Sequence, residues 1–138
     1  RAVVSHGANV FSKNGGIDHV VTAYDYGDGR LVAAEGGWEQ SKGATFEMSF
    51  TIVCSKATLK LDSSGFNVFL NNGKKITPKL DVKAGPTGWH QELAYFISCV
   101  SKGVKPEKYQ SVDSIADTMA IVFAEEKSVA AGGKKVKI

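Results

Sequence analysis

The sequence predicts an α+β fold: an open, mostly antiparallel β-sheet with two helices packed on one face and the other face exposed for dimerisation. Three observations carry that prediction. The hydropathy period is two from residue 2 to about 80 and near 3.6 from about 88 to 130. Gly and Asn-Gly groups punctuate the first region, as antiparallel hairpins require. Two amphipathic helices cover only one side of a sheet of six to eight strands, which leaves the second side bare.

The first strand is expected over Ala2 to Phe11, stopped by the turn cluster Ser12-Lys13-Asn14-Gly15-Gly16. Ile17 to Tyr26 and Arg30 to Trp38 flank Gly27-Asp28-Gly29, a hairpin loop whose glycines are free to take positive φ. Thr45 to Cys54 alternates most clearly, with Phe46, Met48, Phe50, Ile52 and Cys54 on one face. Ala57 to Leu61 follows, then Phe66 to Leu70 and Lys75 to Lys79 around Asn71-Asn72-Gly73.

The first helix is expected from Trp89 to Ser101, with Trp89, Leu93, Phe96, Ile97 and Val100 along one stripe. Thr87 or Gly88 caps its start, and Lys102-Gly103 supplies a cation and a left-handed residue at its end. Ser111 is a good N-cap for the second helix, with Asp113 in its first turn. Its apolar stripe is Ile115, Met119, Val122, Phe123 and Val129, and Ala131-Gly132-Gly133 ends it. Lys134 to Ile138 reads as a short basic strand at the sheet edge, where lysines discourage pairing between molecules.

The 138 residues are 43% hydrophobic and 22% charged, with a formal net charge of +3. This suits a single domain over residues 1–138 and excludes a disordered chain. No apolar run approaches the roughly 18 residues of a spanning helix, so no membrane partner is expected. Fifteen of the 17 cations are scattered lysines, which lack the arginine forks that grip phosphate and guanine. Nucleic acid is therefore not an expected partner. Cys54 and Cys99 make neither a disulfide framework nor a zinc or redox motif; each reads as a small buried hydrophobe, and the compartment expected is the cytoplasm.

Chemistry-bearing motifs are scarce. The glycine pairs sit in hairpin patterns rather than in a strand-to-helix turn, so no dinucleotide loop is expected. His6, His19 and His90 lack metal-ligand spacing, and no nucleophile elbow occurs. Glu125 and Glu126 read as a solvated helix flank, and Asp18 as a local turn cap. One cluster stands out, Gly85-Pro86-Thr87-Gly88-Trp89-His90, which sets an aromatic ring and an imidazole in the first turn of a helix. Trp89 and His90 are the candidate substrate-binding residues; the competing reading packs Trp89 into the sheet and leaves His90 in water.

The string GPTGWHQELAYFISCVSKGVKP, followed by SVDSIADTMAIVFAEEKSVAAGGKKVKI, resembles the C-terminal end of the Gfo/Idh/MocA family of NAD(P)-dependent oxidoreductases. Glu92 and Phe96 fall at the family's helix positions, and Gly103 to Pro106 matches its Gly-x-x-Pro. Ser111 to Ser128 matches the following helix, and Gly133 to Val136 its Gly-x-x-Val tail. Upstream, GIDHVVTAYDYGDGRLVAAEGGWE looks like the family's paired strands, with Asp18 at its usual acidic position, and ATFEMSFTIVCSKATLKLDSSG is similar to the strand pair that follows.

The resemblance implies the substrate-side and oligomerisation domain of a two-domain dehydrogenase acting on a sugar, cyclitol or related hydroxyl or carbonyl compound. NAD or NADP would be held by an N-terminal Rossmann domain, and homo-oligomers would form through the free sheet face. The family's glycine loop, Glu-Lys-Pro segment and Asp-x-x-x-His pair would precede Arg1, so none is carried onto a residue here. The chain, expected to be a piece of a longer protein, should be inactive by itself. The alternative is a non-catalytic module whose sheet face recognises protein or carbohydrate.

Overall fold

A computed structural model describes residues 1–79, 88–107 and 111–138. In chain order its elements are β1 (Ala2–Ala8), β2 (His19–Asp25), β3 (Leu31–Gly37), β4 (Phe50–Val53), β5 (Ala57–Asp62), β6 (Gly65–Leu70), β7 (Lys75–Ile76), α1 (Gly88–Lys102), α2 (Val112–Ala130) and β8 (Val136–Lys137). The class is α+β, with open antiparallel sheets. The eight strands hydrogen-bond as two four-stranded sheets, ordered β3-β2-β1-β8 and β4-β5-β6-β7, where the sequence alone reads as one. Two compact units result: Arg1–Ser41 with Leu93–Ile138, and Lys42–Glu92.

In the first sheet, register decides the faces. Val3 pairs with Tyr24 and Ser5 with Thr22, while Tyr24 pairs with Val32 and Thr22 with Ala34. These side chains point toward α2, which packs on β1 and β8. Val4, His6, Val21, Ala23, Leu31 and Ala33 point the other way. Along β2 the burial alternates accordingly: Thr22 is buried, Val21 and Ala23 are exposed. Leu31, at 99% exposure, marks the bare side.

The core under α2 is built from small residues. Val3, Ser5, Thr22, Ala124 and Ser128 are all buried. The approach is tight: a Cβ on Gly7 would come within 3.0 Å of the Val129 side chain. The helix face that meets the sheet therefore runs through Ile121, Ala124, Glu125 and Ser128. The expected stripe of Ile115, Met119, Val122 and Phe123 is instead exposed, Phe123 by 53%. The two stripes are offset by about two residues, or roughly 200° around the helix. Close backbone approach admits only small side chains, so the bulky stripe faces away. On α1, Leu93, Phe96, Ile97 and Val100 are exposed as well, while Cys99 is buried as expected.

The Ser128 side chain ties α2 to the edge of the sheet. β8 pairs with β1 only at Ala2 and Val3. Continuing that register would set Ser5 against position 134, and there the Ser128 hydroxyl intervenes. It accepts the Ser5 N–H at 2.9 Å and donates to the Lys134 carbonyl at 2.7 Å. The same turn of helix closes properly behind it. Gly133 N–H bonds the Ser128 carbonyl and Gly132 N–H bonds Val129, with Gly132 at φ 69°. This is a Schellman cap, which needs a left-handed residue. α1 ends the same way at Gly103, and Ser111 caps α2 by accepting from Ser114 N–H.

The second sheet is amphipathic. Phe50 and Ile52 pair with Leu61 and Leu59, which pair with Phe66 and Val68, and Val68 pairs with Ile76. All seven share one face, as the alternation over Thr45 to Cys54 predicts for Phe50 and Ile52. Cys54 departs from its expected burial. It lies in the turn after β4, its amide bonded to the Ala57 carbonyl, with its thiol exposed. Asn67, by contrast, is buried and accepts from the Thr77 hydroxyl.

Ser128→Ala should lower the unfolding free energy of the chain by about 1–3 kcal/mol, the cost of a buried N–H and carbonyl left without a partner. Urea denaturation of the variant against wild type measures it.

Candidate functional site

Trp89 and His90 occupy the first turn of α1 and both are exposed, Trp89 by 68%. Neither ring is tied by a hydrogen bond to another described residue. Trp89 is not packed among the described residues, and His90 is exposed to water. Gly85, Pro86 and Thr87, the rest of the cluster, lie outside the described residues. A free indole face binds C–H surfaces, and an imidazole both donates and accepts hydrogen bonds.

A second concave feature was not legible as a site in the sequence. A cavity of about 300 Å³ opens where α2 crosses the end of the first sheet. It is lined by Arg1, Tyr24, Tyr26, Asp117 and Ile121, among others. Tyr24 donates its phenol to Glu125 at 2.5 Å. Burial first, and then the Glu125 carboxylate, push that phenol up to about 12. Glu125 is consequently no solvated flank: it turns to the sheet, while Glu126 stays exposed. The available signal was Tyr24 itself, which shares the alternating face of Val20 and Thr22 and needs a partner once covered.

The remaining polar residues sit in turns. Asp18 accepts from the amides of Val10, Phe11 and Ser12, each at 2.8 Å, which is the turn-cap role expected of it. Those amides hold its carboxyl below the usual range, Val10 most of all. Asp28 and Arg30 close the β2–β3 hairpin as an ion pair, with the guanidinium 4.3 Å above the Tyr26 ring. Gly27 and Gly29 take positive φ within that hairpin. Among the described residues no three His, Cys, Asp or Glu side chains are grouped to hold a metal ion. No helix among them is long and apolar enough to cross a membrane.

No family model matches the chain, and no curated protein matches it. A solved structure does. An oxidoreductase from Agrobacterium radiobacter, crystallised in complex with NAD+, L-tartaric acid and magnesium, superposes with a TM-score of 0.72 at 20% identity. The match covers 99% of this chain and 42% of the other. The fold is that of part of an oxidoreductase. The chain thus spans less than half the length of the protein it resembles, and nearly all of it is used.

Tyr24 gives a direct check on the cavity wall. In an ultraviolet titration Tyr24 should ionise well above the ordinary phenol value of 10, and Glu125→Gln should bring it part of the way down. Its contribution to stability is complete below the ordinary phenol value of 10 and is lost as pH rises toward about 12.

Proposed function

We propose that the chain is the C-terminal, substrate-side and oligomerisation domain of an NAD(P)-dependent oxidoreductase of the Gfo/Idh/MocA family. The observation that carries this reading is the asymmetric match: 99% of the chain laid on 42% of an NAD+-bound oxidoreductase. The two C-terminal segments that resemble the family supply the second support: Gly103, which opens Gly103 to Pro106, closes α1, and Gly133, which opens Gly133 to Val136, bonds the Ser128 carbonyl at the end of α2.

In this reading the nicotinamide cofactor supplies the hydride and is bound by a Rossmann domain preceding Arg1. What this domain contributes is position. Trp89 offers an apolar plate to the C–H face of a hydroxylated substrate, and His90 hydrogen-bonds its hydroxyls. The related oxidoreductase held L-tartaric acid, a vicinal diol; a sugar, cyclitol or other hydroxy compound fits the same chemistry.

The bare side of the first sheet supplies the second role. Val4, Val21, Ala23, Leu31 and Ala33 form an apolar surface there, and a second copy of the chain buries it. A β-sheet face of this kind is flat and self-complementary, which suits a two-fold pair.

Two measurements test the two roles. In the full-length enzyme, Trp89→Ala or His90→Ala should raise the substrate KM roughly tenfold and leave the cofactor KM unchanged; unaltered substrate kinetics remove both residues from the site. Leu31→Lys places a charge on an already exposed position. It should convert the self-associated chain to a monomer by light scattering without loss of folding.

A further inference from the structure

We propose that His19 is a pH-sensitive latch: its imidazolium clamps the chain leaving β3 onto β2 through Glu39, faces Glu35 at the same time, and loosens the clamp when it loses its proton and with it its charge. The first observation is geometric. His19 Nδ1 lies 2.6 Å from Glu39 Oε1, and Nε2 lies 3.3 Å from Glu35 Oε1. Both ring nitrogens face carboxylate oxygens, which only accept. Nδ1–H donates to Glu39 in the neutral ring as in the charged one; a proton on Nε2, which the Glu35 carboxylate favours, adds the positive charge that turns the contact into an ion pair with both. A neutral ring must turn one lone pair toward an anion.

The second observation is independent of the ring. Glu39 Oε2 is buried and has no hydrogen-bond partner among the described residues. A carboxylate folded inward with an idle oxygen needs compensation, and Glu39 takes it from its own backbone amide first and from the His19 ring next. The backbone is shaped for this inward turn: a Cβ on Gly37 would collide with the Glu39 carboxylate, so the absent side chain is the space that Glu39 fills. Glu39 thus reaches back over Gly37 to the strand beside it. Next to it, Trp38 N–H bonds the Asp18 carbonyl, pinning the same stretch one residue earlier.

The charged groups around the ring are few. Glu35 comes from β3, Glu39 from the chain after β3, and Asp18 from the residue before His19. Asp18 is already engaged by three amides. From β1, Ala8 stands opposite His19 and His6 lies two residues along on the same face. α2 is on the other side of the sheet. The carboxylates raise the affinity of His19 for its proton, with the Glu39 hydrogen bond the largest cause. The folded state therefore binds the proton more tightly than the unfolded one. The latch contributes fully below the ordinary imidazole value and is lost as pH rises through the folded value. Glu39 itself is held below the usual carboxylate range, so the clamp survives well into mild acid.

Heteronuclear NMR titration of the 138-residue chain tests this, with wild type, His19→Gln, Glu39→Gln and Glu35→Gln compared. His19 should titrate above the ordinary imidazole value in wild type, fall most in Glu39→Gln, and fall less in Glu35→Gln. The Trp38 and Glu39 amides should shift with the same midpoint as His19, and that step should vanish in His19→Gln. An ordinary His19 midpoint in wild type would overturn the proposal, as would amides at 38 and 39 that ignore the titration. Should Glu39→Gln fail to fold, Glu35→Gln still decides, because Glu35 is exposed and its loss removes only the longer contact.

Discussion

The first unit depends on one hydroxyl. β1 is flanked by β2 along its whole length but by β8 at only two positions, so its outer edge runs out of partners within the core. Ser128 supplies the missing bond from a different element, accepting from Ser5 and donating to Lys134. A buried backbone amide left open is costly, and no water reaches this one. The helix must therefore come close enough for a short side chain to enter the ladder. That distance dictates the small residues Ser5, Gly7 and Ala124 around it, and the left-handed cap just beyond.

The same distance explains the orientation of α2. A helix resting on a sheet at ordinary separation would turn its largest apolar stripe inward. Here the large stripe would not fit, and Ile121, Ala124 and Ser128 take its place. Glu125 comes inward with them and finds the Tyr24 phenol, which accounts for both the half-buried carboxylate and the tyrosine that resists ionisation. Packing and electrostatics at the cavity rim are thus consequences of one short contact.

Function follows from what the packing leaves free. α2 packs on β1 and β8 on one side of the first sheet, and Val21, Ala23 and Leu31 are exposed on the other. At the start of α1, Trp89 and His90 are exposed. At the far end of the bare face, His19 sits between two carboxylates and ties the departing chain to the sheet.

Much of this was legible in the residues. The period-two region, the hairpins at Gly27-Asp28-Gly29 and Asn71-Asn72-Gly73, both helices, the Ser111 cap, the basic edge strand and the turn-capping role of Asp18 all rest on local stereochemistry. Local preferences act over a few residues, and the sequence states those few residues in full. The choice of which helix face to bury, the division of the strands into two sheets, the exposure of Cys54 and the meeting of His19 with Glu39 were decided by the tertiary structure. Each depends on how closely two backbones approach across many intervening residues. A periodic pattern sets the angle of a stripe, but it does not set the distance that determines which stripe can enter.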